Sequence, residues 1–498
     1  MEIKTEQFLE VARKGLQNAH AHAFLKLRAP ISRMRREAAL STFPDAAAAQ
    51  AYGAVIRGEA IARLPELLEE FEKHALANGA KVFWARDAKE ANEYIVNLAK
   101  ERGIKYITKG KSMVTEEIGL NEVLVKNGVE AWETDLGEFI IQLLHRPPFH
   151  IVGPAINIPV EEVRDLFMEK INLEEPTLDP VQLGYAARIF LRDKFHRVHM
   201  GITGVNIAVA ETGTIINVEN EGNIRFTKSS PRTQISVMSL EKVVPSLEDA
   251  LHLVRLLCRN CTGQKLTCYV SMDSSPKKGD EIDGPEELFI VIVDNGRSKI
   301  YQDEIAREAM RCIRCGACLN SCPVYRQIGG YAYGWAYSGP MGQILNPLLL
   351  GLDRTQDLYR ATTLCGACKS ICPVGIDHPS LFLYYRAKDV LGETTLRAKK
   401  RPGMERSFFR LWTWAVTRSW LWNWGVRIVR PFINKEAHEG VITKVKGHFE
   451  GWFRSRDLPA MAEKTFHDRW REMEKAESRK QKAEGRGQEV QSGTKCAG

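Results

Sequence analysis

Apolar positions in the first 75 residues recur near helical spacing. Phe8, Val11 and Leu16, and later Leu64, Leu67, Leu68 and Phe71, carry the pattern. Residues 1–75 are therefore expected to form a helical packing arm. The alanine run Ala46 to Ala49 supports helix and brings no chemistry. From about Gly79 the period changes. Short apolar runs at 81–85 and 105–108 bracket an amphipathic stretch over 88–102 with Ala91, Ile95 and Leu98 on one face. Strands are expected next at 129–134 and 150–154, then helices over 160–171 and 183–199. Further strands are expected at 205–211, 214–218, 234–239, 266–272 and 288–294. Strands alternating with helices predict an α/β domain over 76–300, built on one large, mostly parallel sheet with several later strands antiparallel. Function in such sheets collects where strand ends meet loops.

After Pro379 the pattern is helical and basic, and 386–472 forms a Trp-rich C-terminal region. From residue 401 on, 20 Lys and Arg face 12 Asp and Glu, which accounts for the whole net charge of +8. The remainder balances, which argues against a nucleic-acid partner and for a basic C-terminal surface. Five of the ten tryptophans, Trp412, Trp414, Trp420, Trp422 and Trp424, lie among these basic residues. Tryptophan beside arginine suggests peripheral membrane contact through 406–430. Drawn on one helical wheel, however, neither the tryptophans nor Arg410, Arg418 and Arg427 segregate, so packing against protein or a partner subunit is the expected role. Residues 473–498 are polar and rich in Lys, Glu, Gln and Gly, and are expected to be disordered. Cys496 there is read as an incidental thiol.

At 498 residues, two or three domains are expected, with the 44% hydrophobic composition of a globular protein. The first residues lack the apolar core and small-residue cleavage site of a secretion signal. No uncharged apolar run reaches the roughly 18 residues of a spanning helix. Clustered thiols in such a chain fit a reducing cytoplasm.

Seven of the eleven cysteines fall within 301–385. They form two runs, Cys312-x2-Cys315-x2-Cys318-x3-Cys322-Pro323 and Cys365-x2-Cys368-x3-Cys372-Pro373. Three thiolates two residues apart wrap a tight loop around three corners of an iron-sulfur cubane, and the fourth, followed by proline, serves the other cluster in two-cluster ferredoxins. A zinc knuckle instead needs two separated Cys-x2-Cys pairs, which the first run does not offer. In the second run the place of the first cysteine is taken by Thr362. With ferredoxin-like crossing, Cys312, Cys315, Cys318 and Cys372 hold one cluster, and Cys322, Cys365 and Cys368 the other. The second is then a 3Fe-4S centre, or a 4Fe-4S centre completed by a non-cysteine ligand or a cysteine from elsewhere. Spacing leaves these open.

Three further features invite weighing. The loop Thr108-Lys-Gly-Lys-Ser-Met-Val-Thr-Glu-Glu leaves a strand for a helix, so Lys109, Lys111 and backbone N–H groups could meet an anion there; the alternative is a helix cap at Ser112 or Thr115. Glu211, beside Gly213, is a weak catalytic candidate that with Lys109 and Lys111 could line a carboxylate pocket; the alternative is a turn between strands. Cys258 and Cys261 share a helix face and read as buried structural thiols, and Cys268 sits in an apolar strand. The chain has no Gly-x-Gly-x-x-Gly, His-Glu-x-x-His or Cys-x-x-Cys-His motif.

Lys111-Ser-Met-Val-Thr-Glu-Glu-Ile, Glu133-Thr-Asp-Leu-Gly-Glu and Ala210-Glu-Thr-Gly-Thr-Ile resemble the LUD domain of lactate utilization proteins. Cys312-Ile-Arg-Cys-Gly-Ala-Cys, Gly329-Gly-Tyr-Ala-Tyr-Gly-Trp and Leu364-Cys-Gly-Ala-Cys resemble the iron-sulfur module of the lactate utilization protein B family. Arg456-Asp-Leu-Pro, Trp452 and Phe466 match that family's C-terminal region. The resemblance implies a fold like ribose-5-phosphate isomerase and the CoA transferases, then an α-helical ferredoxin-type two-cluster module and a helical C-terminal region. It implies an electron-transfer subunit working with a cysteine-rich iron-sulfur protein and a second LUD protein to oxidise L-lactate to pyruvate. Two rival readings are a self-contained enzyme using an open cluster iron on a hydroxy acid, and a redox or ligand sensor.

Overall fold

The computed structural model describes residues 2–399, 403–444, 453 and 456–492, with side chains described as far as 480. The chain divides into two compact units, 1–400 and 401–498.

The first unit opens with the expected helices, Phe8–Gln17, Ala19–Leu40, Ala46–Ala62 and Leu64–Ala77. Asn18 and Asp45 cap the second and third by accepting from Ala21 N and Ala48 N. Ten strands follow: β1 (Lys81–Ala85), β2 (Tyr106–Lys109), β3 (Glu130–Glu133), β4 (Met200–Gly204), β5 (Ile207–Val209), β6 (Thr214–Glu219), β7 (Thr233–Ser239), β8 (Val243–Val244), β9 (Tyr269–Asp273) and β10 (Glu287–Val293).

They form two sheets where the hydrophobic pattern predicts one. The larger has the order β1-β10-β7-β4-β2-β3, and every pairing in it is parallel. Helices cover parallel sheets on both faces, which is why β4 and β7 are buried along their whole length. The smaller sheet runs β8-β5-β6-β9 and contains the antiparallel pairs β5–β6 and β6–β9. The segment 150–154, expected as a strand, is a turn closed by Phe149 N donating to Pro154 O at 2.9 Å. Ile151 within it and Phe149 just before it are buried as packing, not as sheet. Cys268 is exposed and precedes β9 instead of lying in it.

The order of the large sheet reverses between β2 and β4: β3 lies on one side of β2, and β4, β7 and β10 lie on the other. Such a switch point, at the carboxyl ends of the strands, is where open α/β sheets receive ligands. The cysteine region follows as short helices, among them Ala317–Ser321, Gly339–Leu350, Ala367–Ile371 and His378–Leu391.

In the second unit the tryptophan-rich stretch is two helices, Gly403–Val416 and Ser419–Asn434. The break between them shifts the phase of the wheel, so the single-wheel reading does not describe it. Trp412, Trp414, Trp420, Trp422 and Trp424 are exposed. Among the described residues, no helix is long and apolar enough to cross a membrane. Residues 473–492, expected to be disordered, continue the helix Phe466–Ser492. Their Ala, Glu, Gln, Lys and Arg content favours helix once a preceding turn nucleates it. Trp452 and Cys496 lie outside the described residues.

Candidate metal centre

The two cysteine runs build the same backbone twice. Arg314 and Leu364 hold positive φ of 63° and 54°, and Gly316 and Gly366, two residues on, hold 74° and 78°. Each Gly-Ala step then opens a one-turn helix, Ala317–Ser321 or Ala367–Ile371. Left-handed residues at this spacing turn backbone N–H groups toward the concave side of the loop. Arg314 N donates to Cys312 Sγ at 3.4 Å, Tyr325 N to Cys322 Sγ at 3.5 Å and Ile376 N to Cys372 Sγ at 3.4 Å.

The thiols collect in two cavities. Cys312, Cys315, Cys318 and Cys372 line one, with Met341, Val374 and His378 around them. Cys322, Cys365 and Cys368 line the other, with Pro323, Pro340 and Phe382. Thr362 lines this second cavity, and its Oγ1 accepts from Leu364 N at 3.0 Å, just as Cys312 Sγ accepts from Arg314 N. Thr362 thus stands in the structural place of Cys312. Among the described residues, no three His, Cys, Asp or Glu side chains converge on a single ion. A cluster, whose irons each take their own thiolate, suits so spread a set.

Burial decides the protonation of these thiols. It pushes Cys368 up to about 12 and Cys372 to about 11, and raises Cys315 and Cys318 well above the usual thiol range. Cys365, more open and hydrogen-bonded by Thr363, is lowered. Buried thiols stay protonated unless a cation offsets the cost of charging them, and iron would supply that charge. The donor set fits iron-sulfur clusters on this ground.

A buried ion network joins the first loop to the carboxyl edge of the large sheet. Glu241, just past β7, forms an ion pair with Arg297 at 2.8 Å and accepts from Arg314 at 2.7 Å. Burial alone would raise its carboxyl, but Arg297 and then Arg314 hold it at about 2. Arg297 forms a two-pronged pair with Glu117 at 2.8 and 2.7 Å, and Tyr337 OH donates to Glu117 at 2.6 Å. Arg57 donates to the backbone oxygens of Glu241, Met310 and Arg311. Glu117 lies within the Lys111-Ser-Met-Val-Thr-Glu-Glu-Ile stretch, but nothing in the local pattern marks its partners Glu241 and Arg297; their roles come from strand ends meeting in space.

The weaker candidates separate. Lys109 is 1% exposed and locked by Glu133 at 2.7 Å and Glu116 at 3.3 Å. Burial would lower its pKa, but these carboxylates raise it, so it is a charged structural group. Glu211 is exposed and accepts from Leu247 N at 2.6 Å, bracing the start of the helix Leu247–Cys261. Neither lines a cavity with Lys111, which corrects the expected carboxylate pocket. Lys111 donates to Val152 O at 2.6 Å and lines a separate cavity, together with Cys258 and Cys261. Ser112 caps the helix Met113–Glu117 by accepting from Thr115 N.

Comparison with known proteins follows the same division. Residues 68–293 match the LUD domain, 308–376 a 4Fe-4S dicluster domain and 386–475 the lactate utilisation protein B, C-terminal model. Lactate utilization protein B of Macrococcus caseolyticus is 42% identical over 83% of this chain and 86% of its own length. The protein of that name from Bacillus licheniformis is 40% identical over 97% of this chain and 99% of its own length. A crystal structure of a duf162 family protein from Deinococcus radiodurans covers 46% of this chain and 98% of its own at 17% identity, with a TM-score of 0.27, too low to carry an argument. With matched domains in this order and relatives at this identity over nearly the whole length, the chain belongs to the lactate utilization protein B family.

Proposed function

We propose that this chain is the iron-sulfur electron-transfer subunit of a complex that oxidises L-lactate to pyruvate. The supporting observation is the sorting of seven cysteines into two adjacent cavities, four and three, in which each run lends its Cys-Pro cysteine to the other cavity. Relatives bearing the name lactate utilization protein B direct the reading to lactate. Cys312, Cys315, Cys318 and Cys372 would hold the first cluster. Cys322, Cys365 and Cys368 would hold the second, of 4Fe-4S or 3Fe-4S type. The clusters, when bound, supply one-electron redox chemistry. The chain's own residues set the conditions for it: interleaving ties the two sites together, and burial of Cys315, Cys322 and Cys368 limits access of water, with Cys365 the open edge of the second site. Arg36 and Arg314 bring positive charge close to first-site thiols, that of Arg314 partly offset by Glu241, and the net positive field favours the reduced form.

The LUD sheet is read as the ribose-5-phosphate isomerase/CoA transferase-like fold. A cysteine-rich iron-sulfur protein and a second LUD protein serve as partners in the cytoplasm. Anaerobic purification with iron and sulfide counting, followed by EPR, is the test. About eight irons per chain support two 4Fe-4S centres and about seven a 3Fe-4S partner; a chain without iron overturns the proposal. Turnover of L-lactate by the isolated chain would favour a self-contained enzyme over a subunit.

A further inference from the structure

A cavity of about 280 Å³, near the lower end of ligand-site volumes, opens at the carboxyl edge of the large sheet. Chain leaving four parallel strands reaches it: Lys111 after β2, Asp135 after β3, Asn206 after β4 and Lys242 after β7. It therefore sits at the switch point between β2 and β4, the place where the topology predicts a ligand.

Its charged groups are unequally satisfied. Arg314 pairs with Glu241, and Lys111 donates to Val152 O. Lys242 lines the cavity, is only 9% exposed and has no hydrogen-bond or ion-pair partner among the described residues. Lys242 is largely buried with the Arg314 guanidinium near it and the Glu241 carboxylate only partly offsetting that charge, and an anion entering the cavity would relieve the cost. The other ionisable wall is acidic. Glu221 lies beside Asp135, and burial together with that like charge pushes its carboxyl up to about 7. A second anionic group on the ligand would meet this pair and be repelled.

One layer of side chains separates the cavity from the first cysteine site. Leu257, Val218 and Cys261 line the cavity and also belong to the apolar cluster that holds Cys315 and Cys318.

We propose that this cavity binds a small monocarboxylate, with the carboxylate on Lys242 and an uncharged remainder against the apolar wall. The proposal deepens the lactate reading and rests on it for the choice of a 2-hydroxy or 2-oxo acid. A bound anion so near the first site stabilises the more positive, oxidised state there and lowers its midpoint potential.

The test uses the full-length, iron-loaded chain, titrated anaerobically with L-lactate, pyruvate, succinate and inorganic phosphate by calorimetry, with EPR-monitored redox titration of the first centre. L-lactate and pyruvate are expected to bind saturably and to lower the midpoint potential. Lys242→Met is expected to weaken binding about tenfold or more and to remove the potential shift. Loss of an unpaired buried charge leaves the melting temperature unchanged or higher, so the variant remains folded. Glu221→Gln gives an independent check, since it is expected to improve succinate binding. The proposal is overturned if L-lactate and pyruvate fail to bind, if succinate or phosphate binds the wild type as tightly, or if Lys242→Met binds unchanged. A chain without iron that still binds L-lactate would sink the electron-transfer reading and uphold this site; full iron content with no binding of L-lactate or pyruvate would do the reverse.

Discussion

Thr362 and Cys312 occupy the same place in two copies of one loop, and the difference between them is a single donor atom. Replacing Thr362 with cysteine puts a thiolate where the second cavity has a hydroxyl. Thr362→Cys is expected to change the EPR line shape of the second centre and leave the first unchanged; an unaltered second-centre spectrum would mean that another group completes that site. Cys312→Ser and Cys372→Ser should damage the same first centre although 60 residues separate them, and a Cys372→Ser variant that loses only the second centre would refute the crossed assignment. Glu241 carries the pH argument. Its folded pKa of about 2 lies below the ordinary carboxylate range, so its stabilisation is present above about pH 4.5 and lost as pH falls toward 2. Glu241→Gln leaves Arg297 and Arg314 short of a buried partner and is expected to destabilise by about 3–5 kcal/mol at neutral pH. Denaturant melts should show that gap narrowing as the pH falls below about 4.5; a constant gap from pH 7 to 3 would contradict the assignment. The grouping of the seven cysteines into two cavities is legible in the sequence because cluster chemistry demands fixed spacing. Lys109 and Glu211 misled, since a motif-like loop does not reveal which of its charges already has a partner.

At the scale of elements, hydrophobic period located most of the helices and strands but missed β4, whose sequence Met-Gly-Ile-Thr-Gly falls between the expected helix 183–199 and the expected strand 205–211. The structure supplies the reason for those glycines. A Cβ on Gly201 would lie 1.9 Å from Thr227 O, and one on Gly204 would lie 2.6 Å from Ser112 Oγ. Both glycines permit close approach in the middle of a buried sheet rather than a bend. The split into two sheets was equally hidden, because β5 and β6 are as apolar as the strands of the large sheet and only pairing distinguishes them. Gly204→Ala forces Ser112, and with it the loop bearing Lys111, away from the strand end. A loss of about 1–3 kcal/mol is expected from overpacking, read as a lower denaturation midpoint with the iron content kept. Wild-type stability in this variant would show that the loop yields freely.

The N-terminal arm, which by pattern alone is only packing, clasps the whole first unit. Lys4 N donates to Gly334 O at 2.8 Å, Phe8 packs edge-on against Tyr333, and the backbone of Ile328 crosses Gly15 so closely that a Cβ would lie 2.3 Å from its oxygen. Further along, Arg36 donates to Asn260 Oδ1 at 2.6 Å and to Ile371 O at 3.0 Å, bridging the helix beside the LUD cavity and the second cysteine run. Phe8, Phe71, Ile216, Leu253, Leu319, Tyr333 and Leu381 share one apolar core, so arm, small sheet and cysteine region are a single packing unit although the sequence reads as successive domains. The cysteines Cys322 and Cys368 belong to that same core. Groups that bind only the folded state stabilise it by mass action, and thiolates buried in a shared core pass that stabilisation to everything packed against them. Removing iron with a chelator under anaerobic conditions is therefore expected to lower the melting temperature of the LUD strands and the cysteine region together, in one transition. Deleting residues 2–40 removes Lys4, Phe8, Gly15 and Arg36 at once, and should cost the chain both iron content and that shared transition. A truncated chain that keeps its full iron content and melts as the intact chain does would show that the cysteine region closes on the LUD domain without the clasp.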